Sequence, residues 1–160
     1  MVSSTIKKLF LLSAFCFVLT LFRFWATDTI SYIFLTFNLI LAWIPLGASL
    51  GFTKEKNQAK LFFWFLLWLV FFSNSPYIIT DLIHLKPRNN FPLWFDSVFL
   101  YSFAFTGLVL GMFSAILIYR RLKEILTLPL AKGTMLAVML LSGYGVYIGR
   151  FLRWNSWNIL

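Results

Sequence analysis

Charged residues are scarce in this chain of 160 residues, of which only 12% are Asp, Glu, Lys or Arg. A soluble domain of this size usually carries charge on about a quarter of its residues. Here 61% of the residues are hydrophobic and 21% are aromatic. This composition excludes an ordinary soluble globular domain and predicts that lipid is the solvent for most of the chain.

Cysteine and histidine each occur once, as Cys16 and His84. A single cysteine cannot form an internal disulfide and indicates nothing about the redox compartment. A single histidine excludes the two-histidine zinc-protease signature, and no Ser or Cys stands in a recognised nucleophile motif. No basic run is interleaved with aromatics on a polar segment, so we expect no nucleic-acid partner.

Long apolar runs are what the sequence does contain. A bilayer core of roughly 30 Å needs about 20 apolar residues per helix. Runs of this length without alternating polarity favour helices, which satisfy their own backbone in lipid. We predict one all-α domain over residues 1–160, a polytopic transmembrane helix bundle of five spans. The spans are predicted at about residues 9–26, 29–50, 61–79, 97–118 and 133–149.

The first span resembles a signal peptide, because Lys7 and Lys8 precede the apolar run LFLLSAFCFVLTLF. A cleavage site needs small residues at the end of such a run, and the sequence there, FRFWATD, is mainly bulky. We therefore predict that the first helix stays uncleaved.

Basic residues predict the orientation of the bundle, because Lys and Arg favour cytoplasmic segments. One side of the predicted bundle carries nine of them: Lys7, Lys8, Lys54, Lys56, Lys60, Arg120, Arg121, Lys123 and Lys132. The other side carries five: Arg23, Lys86, Arg88, Arg150 and Arg153. We expect a cytoplasmic N-terminus and an external C-terminus, with the net charge of +9 reflecting this topology and an attraction to anionic lipid head groups.

A polar segment, SNSPYIITDLIH, ends the third apolar run. Its polar residues Asn74, Tyr77, Asp81 and His84 are spaced by three, four and three, which places them on one stripe if the helix continues. Pro76 removes a backbone donor and predicts a kink there. The freed carbonyl then needs a partner from a nearby side chain, from water or from another helix.

A second polar motif, GRFLRWNSWN, follows the fifth run. Helical spacing places Arg150, Arg153, Trp154 and Trp157 on one face. On the predicted topology this motif, the first one and Asp96 all emerge on the outer side. We therefore predict that residues 81 and 150 lie close together at that rim.

The residue types at this rim support three functional hypotheses. Arginine suits phosphate by bidentate hydrogen bonding, so the cluster is predicted to bind a lipid or another anionic ligand. The predicted ligand-binding residues are Asn74, Tyr77, Arg150, Arg153 and Asn155. An alternative is a hydrolase or transferase acting on a lipid-linked phosphate. The third hypothesis is a structural or assembly subunit of a membrane complex.

The enzymatic alternative rests on Asp81, His84 and Asp96 as candidate catalytic residues. The three together would form a metal site with an open position for water, or His84 would act as a general base oriented by Asp81. The sequence assigns no cofactor and leaves metal dependence open.

Purely structural roles are open for the same residues. Asp81 would pair with Arg150 or Arg153, His84 would be solvated, and the tryptophans would lie in the interfacial aromatic belt. For Asn38, near the middle of the second span, we favour an interhelical hydrogen bond over contact with a substrate. Three Gly-x-x-x-Gly pairs, at positions 47 and 51, 107 and 111, and 145 and 149, are interpreted as packing surfaces.

The motifs NSPYIITDLIHL, WFDSVFLYSFAFTGLVLG and GRFLRWNSWN, with FNLILAWIPL upstream, resemble the bacterial multi-pass membrane proteins grouped as domain of unknown function 1361. The resemblance runs from about residue 37 to 158. It implies a multi-pass protein of the bacterial cell membrane without an established reaction. The matching positions are Asn38, Asn74, Pro76, Tyr77, Thr80, Asp81, His84, Asp96, Arg150, Arg153, Asn155 and Trp157.

Members of such a family often continue past the RWNSW motif with further hydrophobic sequence. This sequence stops at Leu160 and has Asn158 where we expect an acidic residue. A missing final helix would leave the outer site incomplete.

Overall fold

The computed structural model describes residues 2–87 and 91–152, which are helical nearly throughout and include no strand. Five helices are long and apolar enough to cross a membrane: Val2–Thr27, Ile33–Lys54, Gln58–His84, Leu93–Ile125 and Leu128–Leu152. Each predicted span overlaps one of them, although the second begins at Ile33 rather than at residue 29. The predicted all-α bundle of five spans is therefore confirmed.

Two of these spans are not α-helical throughout. The elements in chain order are α1 (Val2–Thr27), α2 (Ile33–Lys54), α3 (Gln58–Phe72), α4 (Asn74–Tyr77), a 3₁₀ helix (Ile78–His84), α5 (Leu93–Ile125), α6 (Leu128–Tyr147) and a π turn (Ile148–Leu152). Because successive spans alternate in direction, α1, the 3₁₀ helix and the π turn finish where α2 and α5 begin. We call this the polar end of the bundle.

Helices begin at residues that accept hydrogen bonds from free backbone N–H groups, or at prolines, which have no backbone N–H group. Asn57 caps α3, and its side-chain oxygen accepts hydrogen bonds from the backbone N–H of Ala59 at 3.0 Å and of Lys60 at 3.2 Å. Pro92 precedes α5, and Pro129 lies in the first turn of α6. Proline is favoured at such positions because the first N–H groups of a helix have no intrahelical partner.

Helix α5 is the centre of the bundle and packs against α1, α2 and α6. Apolar side chains of α1, α2 and α5, including Leu39, Phe99 and Phe103, form the core nearer the polar end. Trp68 and Ile118 belong to a second core cluster toward the opposite end. Some buried polar side chains are paired across helices, as Trp68 donates from Nε1 to Ser114 Oγ at 3.1 Å.

The third span breaks after Phe72, close to Pro76, as the proline predicts. Pro76 cannot donate a hydrogen bond to the preceding turn, and the chain continues as α4 and then as a 3₁₀ helix. At the break, Asn74 Nδ2 donates to the carbonyl oxygen of Phe71 at 3.1 Å. The polar side chains beside Pro76 therefore help to satisfy the interrupted backbone.

Small residues allow this break to pack between α5 and α6. A β-carbon added at Gly111 would lie 2.7 Å from Ser75 Cβ, and one added at Gly145 would lie 2.6 Å from Ser73 Oγ. A β-carbon at Gly107 would lie 2.7 Å from Ile78 Cδ1 and 3.1 Å from the carbonyl oxygen of Ser75. These contacts leave little room for a side chain, which confirms the interpretation of Gly107, Gly111 and Gly145 as packing positions.

In the remaining glycine pair, Gly47 and Gly51, only one glycine is in close contact with a neighbouring helix. A β-carbon at Gly51 would lie 2.6 Å from the ring of Trp64, whereas one at Gly47 would meet nothing within 4 Å. Packing is thus confirmed for Gly51 only.

Close by, Arg121 Nη2 donates to the carbonyl of Glu55 at 3.0 Å and joins α5 to the turn between α2 and α3.

Candidate functional site

Asp81 lies at the centre of a polar cluster formed by three elements of the polar end. Its side chain, on the 3₁₀ helix, is only 2% exposed. Asn38 Nδ2 of α2 donates to Asp81 Oδ2 at 2.8 Å, and Arg150 Nη2 of the π turn donates to Asp81 Oδ1 at 2.9 Å. A buried carboxylate needs such partners, so Asp81 joins α2, the broken span and the end of α6.

Arg150 connects this buried carboxylate to the surface. Its Nη1 lies 3.3 Å from His84 Nε2, and its guanidinium carbon lies 5.3 Å from the centroid of the Tyr77 ring. The Arg150 side chain is 15% exposed, and its Nε has no hydrogen-bond partner among the described residues. Arg150 therefore retains donor capacity beyond its contact with Asp81.

The local backbone explains why these side chains meet. Three residues per turn in the 3₁₀ helix align positions three apart, so Asp81 and His84 project from one side. The π turn shifts the register of the last turn of α6 at Arg150, and such bulges are frequent at functional sites. Gly149 lets this turn approach, since a β-carbon there would lie 3.1 Å from the ring of Tyr77.

A second ion pair lies beside this cluster. Arg23 of α1 donates from Nε to Asp96 Oδ1 at 2.8 Å and from Nη2 to Oδ2 at 3.2 Å. The guanidinium carbon lies 4.4 Å from the centroid of the Tyr32 ring, and the Tyr32 hydroxyl donates to the backbone carbonyl of His84 at 3.1 Å. Tyr32 thus links the two ion pairs through the end of the 3₁₀ helix.

The structure brings together four of the predicted site residues: Tyr77, Asp81, His84 and Arg150. The predicted proximity of Asp81 and Arg150 is confirmed by their contact at 2.9 Å. Asn38 forms the predicted interhelical hydrogen bond. The ligand-binding and catalytic roles of these residues stay predictions.

Other predicted residues are placed elsewhere. Asp96 does not join Asp81 and His84 in a group of ligands, because Arg23 holds both of its carboxylate oxygens. Within residues 2–87 and 91–152, no three His, Cys, Asp or Glu side chains are close enough to hold a metal ion. Asn74 binds the backbone at the helix break instead of the cluster. Arg153, Asn155 and the two tryptophans beside them lie outside the described residues.

Sequence reasoning missed Arg23 and Tyr32. Arg23 entered only as one of the charges that set orientation, although it interrupts an apolar run at FRFWA. A charge inside such a run is costly in lipid and needs a partner, and this was the signal that predicts a buried ion pair. Tyr32 carries no comparable signal, because tyrosine is common at membrane interfaces.

An apolar groove of about 580 Å³ lies between α5 and α6, and its lining includes Pro76, which directly precedes Tyr77 of the polar cluster. Sites for small ligands span about 300–1,000 Å³, so the groove is large enough for a hydrocarbon chain. Its lining includes Phe72, Pro76, Gly111, Met112, Met139 and Val146. Methionine side chains are flexible and fit hydrocarbon of varied shape.

Comparison with known protein families identifies the chain. Residues 37–160 match a family described as "Protein of unknown function (DUF1361)", and the chain belongs to this family. The match covers every residue of the polar cluster and of the groove, whereas Arg23 and Tyr32 precede it. The comparisons with curated proteins and with solved structures gave no match.

Proposed function

We propose that this membrane protein binds an amphiphile with an anionic head group, such as a phosphate-bearing lipid. The head group would lie at Arg150 and His84, and the hydrocarbon chain would lie in the groove between α5 and α6. The observation that carries the proposal is that the lining of the groove includes residues of two chain segments that also carry the cluster. Pro76 of the groove directly precedes Tyr77, and Val146 lies one helical turn, about 6 Å, before Arg150.

The distribution of charge in the cluster supports the proposed position of the head group. The buried side of the cluster contains Asp81 and Asn38, which hold Arg150 in place. The exposed side presents His84, with the exposed Lys86 two residues further on, and the accessible part of Arg150. An anion that approaches from the head-group region would therefore meet basic side chains, with the only acid of the cluster shielded behind them.

The polar end is proposed to face outward in a bacterial cell membrane, with the N-terminus in the cytoplasm. The excess of Lys and Arg at the opposite end supports this orientation. In a Cys16→Ser background, Lys86→Cys is expected to react with a membrane-impermeant thiol reagent applied to intact cells, because Lys86 is exposed at the polar end. Lys56→Cys, exposed at the opposite end, is the matched control and should react only after the cells are opened. The reverse pattern would overturn the orientation.

Filling the groove tests the proposed function directly. Gly143 lines the groove and Gly133 does not, yet both lie on α6 and a β-carbon at either one meets nothing within 4 Å. Gly143→Trp should therefore occupy the groove without disturbing the backbone, while Gly133→Trp adds the same side chain to a surface outside it. We expect Gly143→Trp to lose most of the anionic lipid that co-purifies with the unaltered protein, as measured by mass spectrometry of detergent-purified samples.

The control variant sets the comparison for this experiment. Gly133→Trp should retain lipid at the level of the unaltered protein, and both variants should show the same helical circular dichroism. Equal lipid retention by the two tryptophan variants would contradict the proposed binding mode.

A further inference from the structure

We infer that His84 selects the anionic head group through its protonated form, so that binding takes up a proton. The inference rests on the proposed function and adds a chemical condition to it. The same imidazole that accepts from Arg150 would donate to the bound ligand.

The contact between His84 and Arg150 constrains the protonation state. Arginine has only donors, so its Nη1, 3.3 Å from His84 Nε2, makes a hydrogen bond only if Nε2 carries no proton. A protonated imidazole would place a donor against a donor at this position. The contact is therefore a hydrogen bond in which an unprotonated Nε2 of His84 accepts from Arg150.

An anionic oxygen placed between these two side chains reverses the preference. It accepts from the Arg150 guanidinium and from a protonated His84 at once, and both hydrogen bonds are charge-assisted. A zwitterionic or neutral head group gives less compensation for the second positive charge. His84 in its protonated form would therefore favour an anionic head group over a zwitterionic one.

The charged neighbours of His84 are accounted for as follows. Asp81, on the same 3₁₀ helix, directs its hydrogen bonds to Asn38 and Arg150 and is 2% exposed, and its charge also interacts with His84. On the α2 side, the Tyr32 hydroxyl binds the His84 carbonyl rather than the ring. The other described charged groups at this end are Lys86 along the chain, the exposed Asp28 directly after α1, and Arg23 behind Tyr32, which is compensated by Asp96.

The sign of the pH dependence follows from this arrangement. Because the proposed complex holds the protonated imidazole, whereas the contact with Arg150 requires the neutral one, affinity should be highest at low pH. It should fall as the pH rises through the range in which imidazoles lose their proton, about pH 5 to 8. One linked proton limits the slope to about tenfold in affinity per pH unit.

The test uses the complete protein in detergent micelles and dioctanoyl phosphatidylglycerol, whose phosphodiester keeps one negative charge throughout this range. Calorimetric titrations at several pH values should show the Kd rising about tenfold between the two ends of the histidine range. Repeating one titration in buffers of different ionisation enthalpy should show net proton uptake, without any substitution. His84→Gln keeps a donor at all pH values and should bind with a Kd that does not depend on pH. Dioctanoyl phosphatidylcholine, the zwitterionic control, should bind more weakly at low pH.

The outcomes distinguish a failure of this inference from a failure of the proposed function. Binding of phosphatidylglycerol that is independent of pH, or a pH slope that persists in a folded His84→Gln, would overturn the role of His84 and leave the lipid site standing. Absence of binding at every pH would instead overturn the proposed function itself.

Discussion

Asp96→Ala is expected to lower the free energy of unfolding by about 3–5 kcal/mol, because it leaves the Arg23 guanidinium buried without its charge partner. The two side chains are only 3% and 2% exposed, so solvent cannot replace the lost carboxylate. Two hydrogen bonds, at 2.8 and 3.2 Å, are lost together. Equilibrium unfolding in mixed micelles with increasing dodecyl sulfate would measure the change.

A surface ion pair of the same chain supplies the control for this prediction. Arg121 and Glu124 also lie 2.8 Å apart, but Glu124 is 64% exposed. Glu124→Ala should therefore cost less than about 1 kcal/mol. The double variant Arg23→Met with Asp96→Leu removes both charges and should recover most of the loss. Equal destabilisation by Asp96→Ala and Glu124→Ala would contradict a structural role for the buried pair.

The location of Asp81 and Arg150 at the same end of the bundle could be predicted without a structure, because it follows from counting spans. Apolar runs of the right length each cross the bilayer once, so residues that end the third and the fifth run emerge on the same side. The two polar motifs are far apart in sequence yet have complementary charge. Only the pairing within that rim, here at 2.9 Å, remained for the structure to determine.

The partner of Asp96 could not be predicted in the same way. Asp81, His84 and Asp96 are all predicted at one end of the bundle, where each could pair with more than one residue. Counting spans gives no information about which helices are neighbours. In the fold, α1 packs on α5 and brings Arg23 to the first turn where Asp96 lies. A single buried arginine then binds both oxygens of that carboxylate, so Asp96 pairs with Arg23, and its catalytic role stays a prediction.

The α-helical repeat also failed to predict the conformation of the whole polar segment SNSPYIITDLIH. The stripe through Asn74, Tyr77, Asp81 and His84 assumed 3.6 residues per turn, whereas the chain becomes a 3₁₀ helix at Ile78. Asn74 consequently serves the helix break, and Asp81 and His84 align by the tighter repeat. Pro76 predicted that the helix would break. The conformation of the chain at the break also depends on the glycines of α5 and α6 that pack against it.

Removing both charges of the Asp81–Arg150 pair is expected to weaken binding of an anionic lipid by about 10–100-fold. A hydrogen bond to a charged group contributes about 1.5–3 kcal/mol, and every 1.4 kcal/mol corresponds to a factor of about ten in affinity. The double variant Arg150→Met with Asp81→Asn is preferred over Arg150→Met alone, because the single change would leave Asp81 buried and unpaired. Calorimetry with dioctanoyl phosphatidylglycerol would give the affinity.

Two further variants separate binding from packing. Asp81→Asn alone retains Arg150 and keeps an amide oxygen that can accept from it, so the folded variant should bind the lipid about as tightly as the unaltered protein. Arg120→Gln removes an exposed arginine at the opposite end and should leave the affinity unchanged. If Arg150 served only to hold the π turn against the 3₁₀ helix, the folded double variant would bind like the unaltered protein. A loss confined to the variant that lacks Arg150 therefore assigns the head group to this guanidinium, since the Asp81 substitution is common to both.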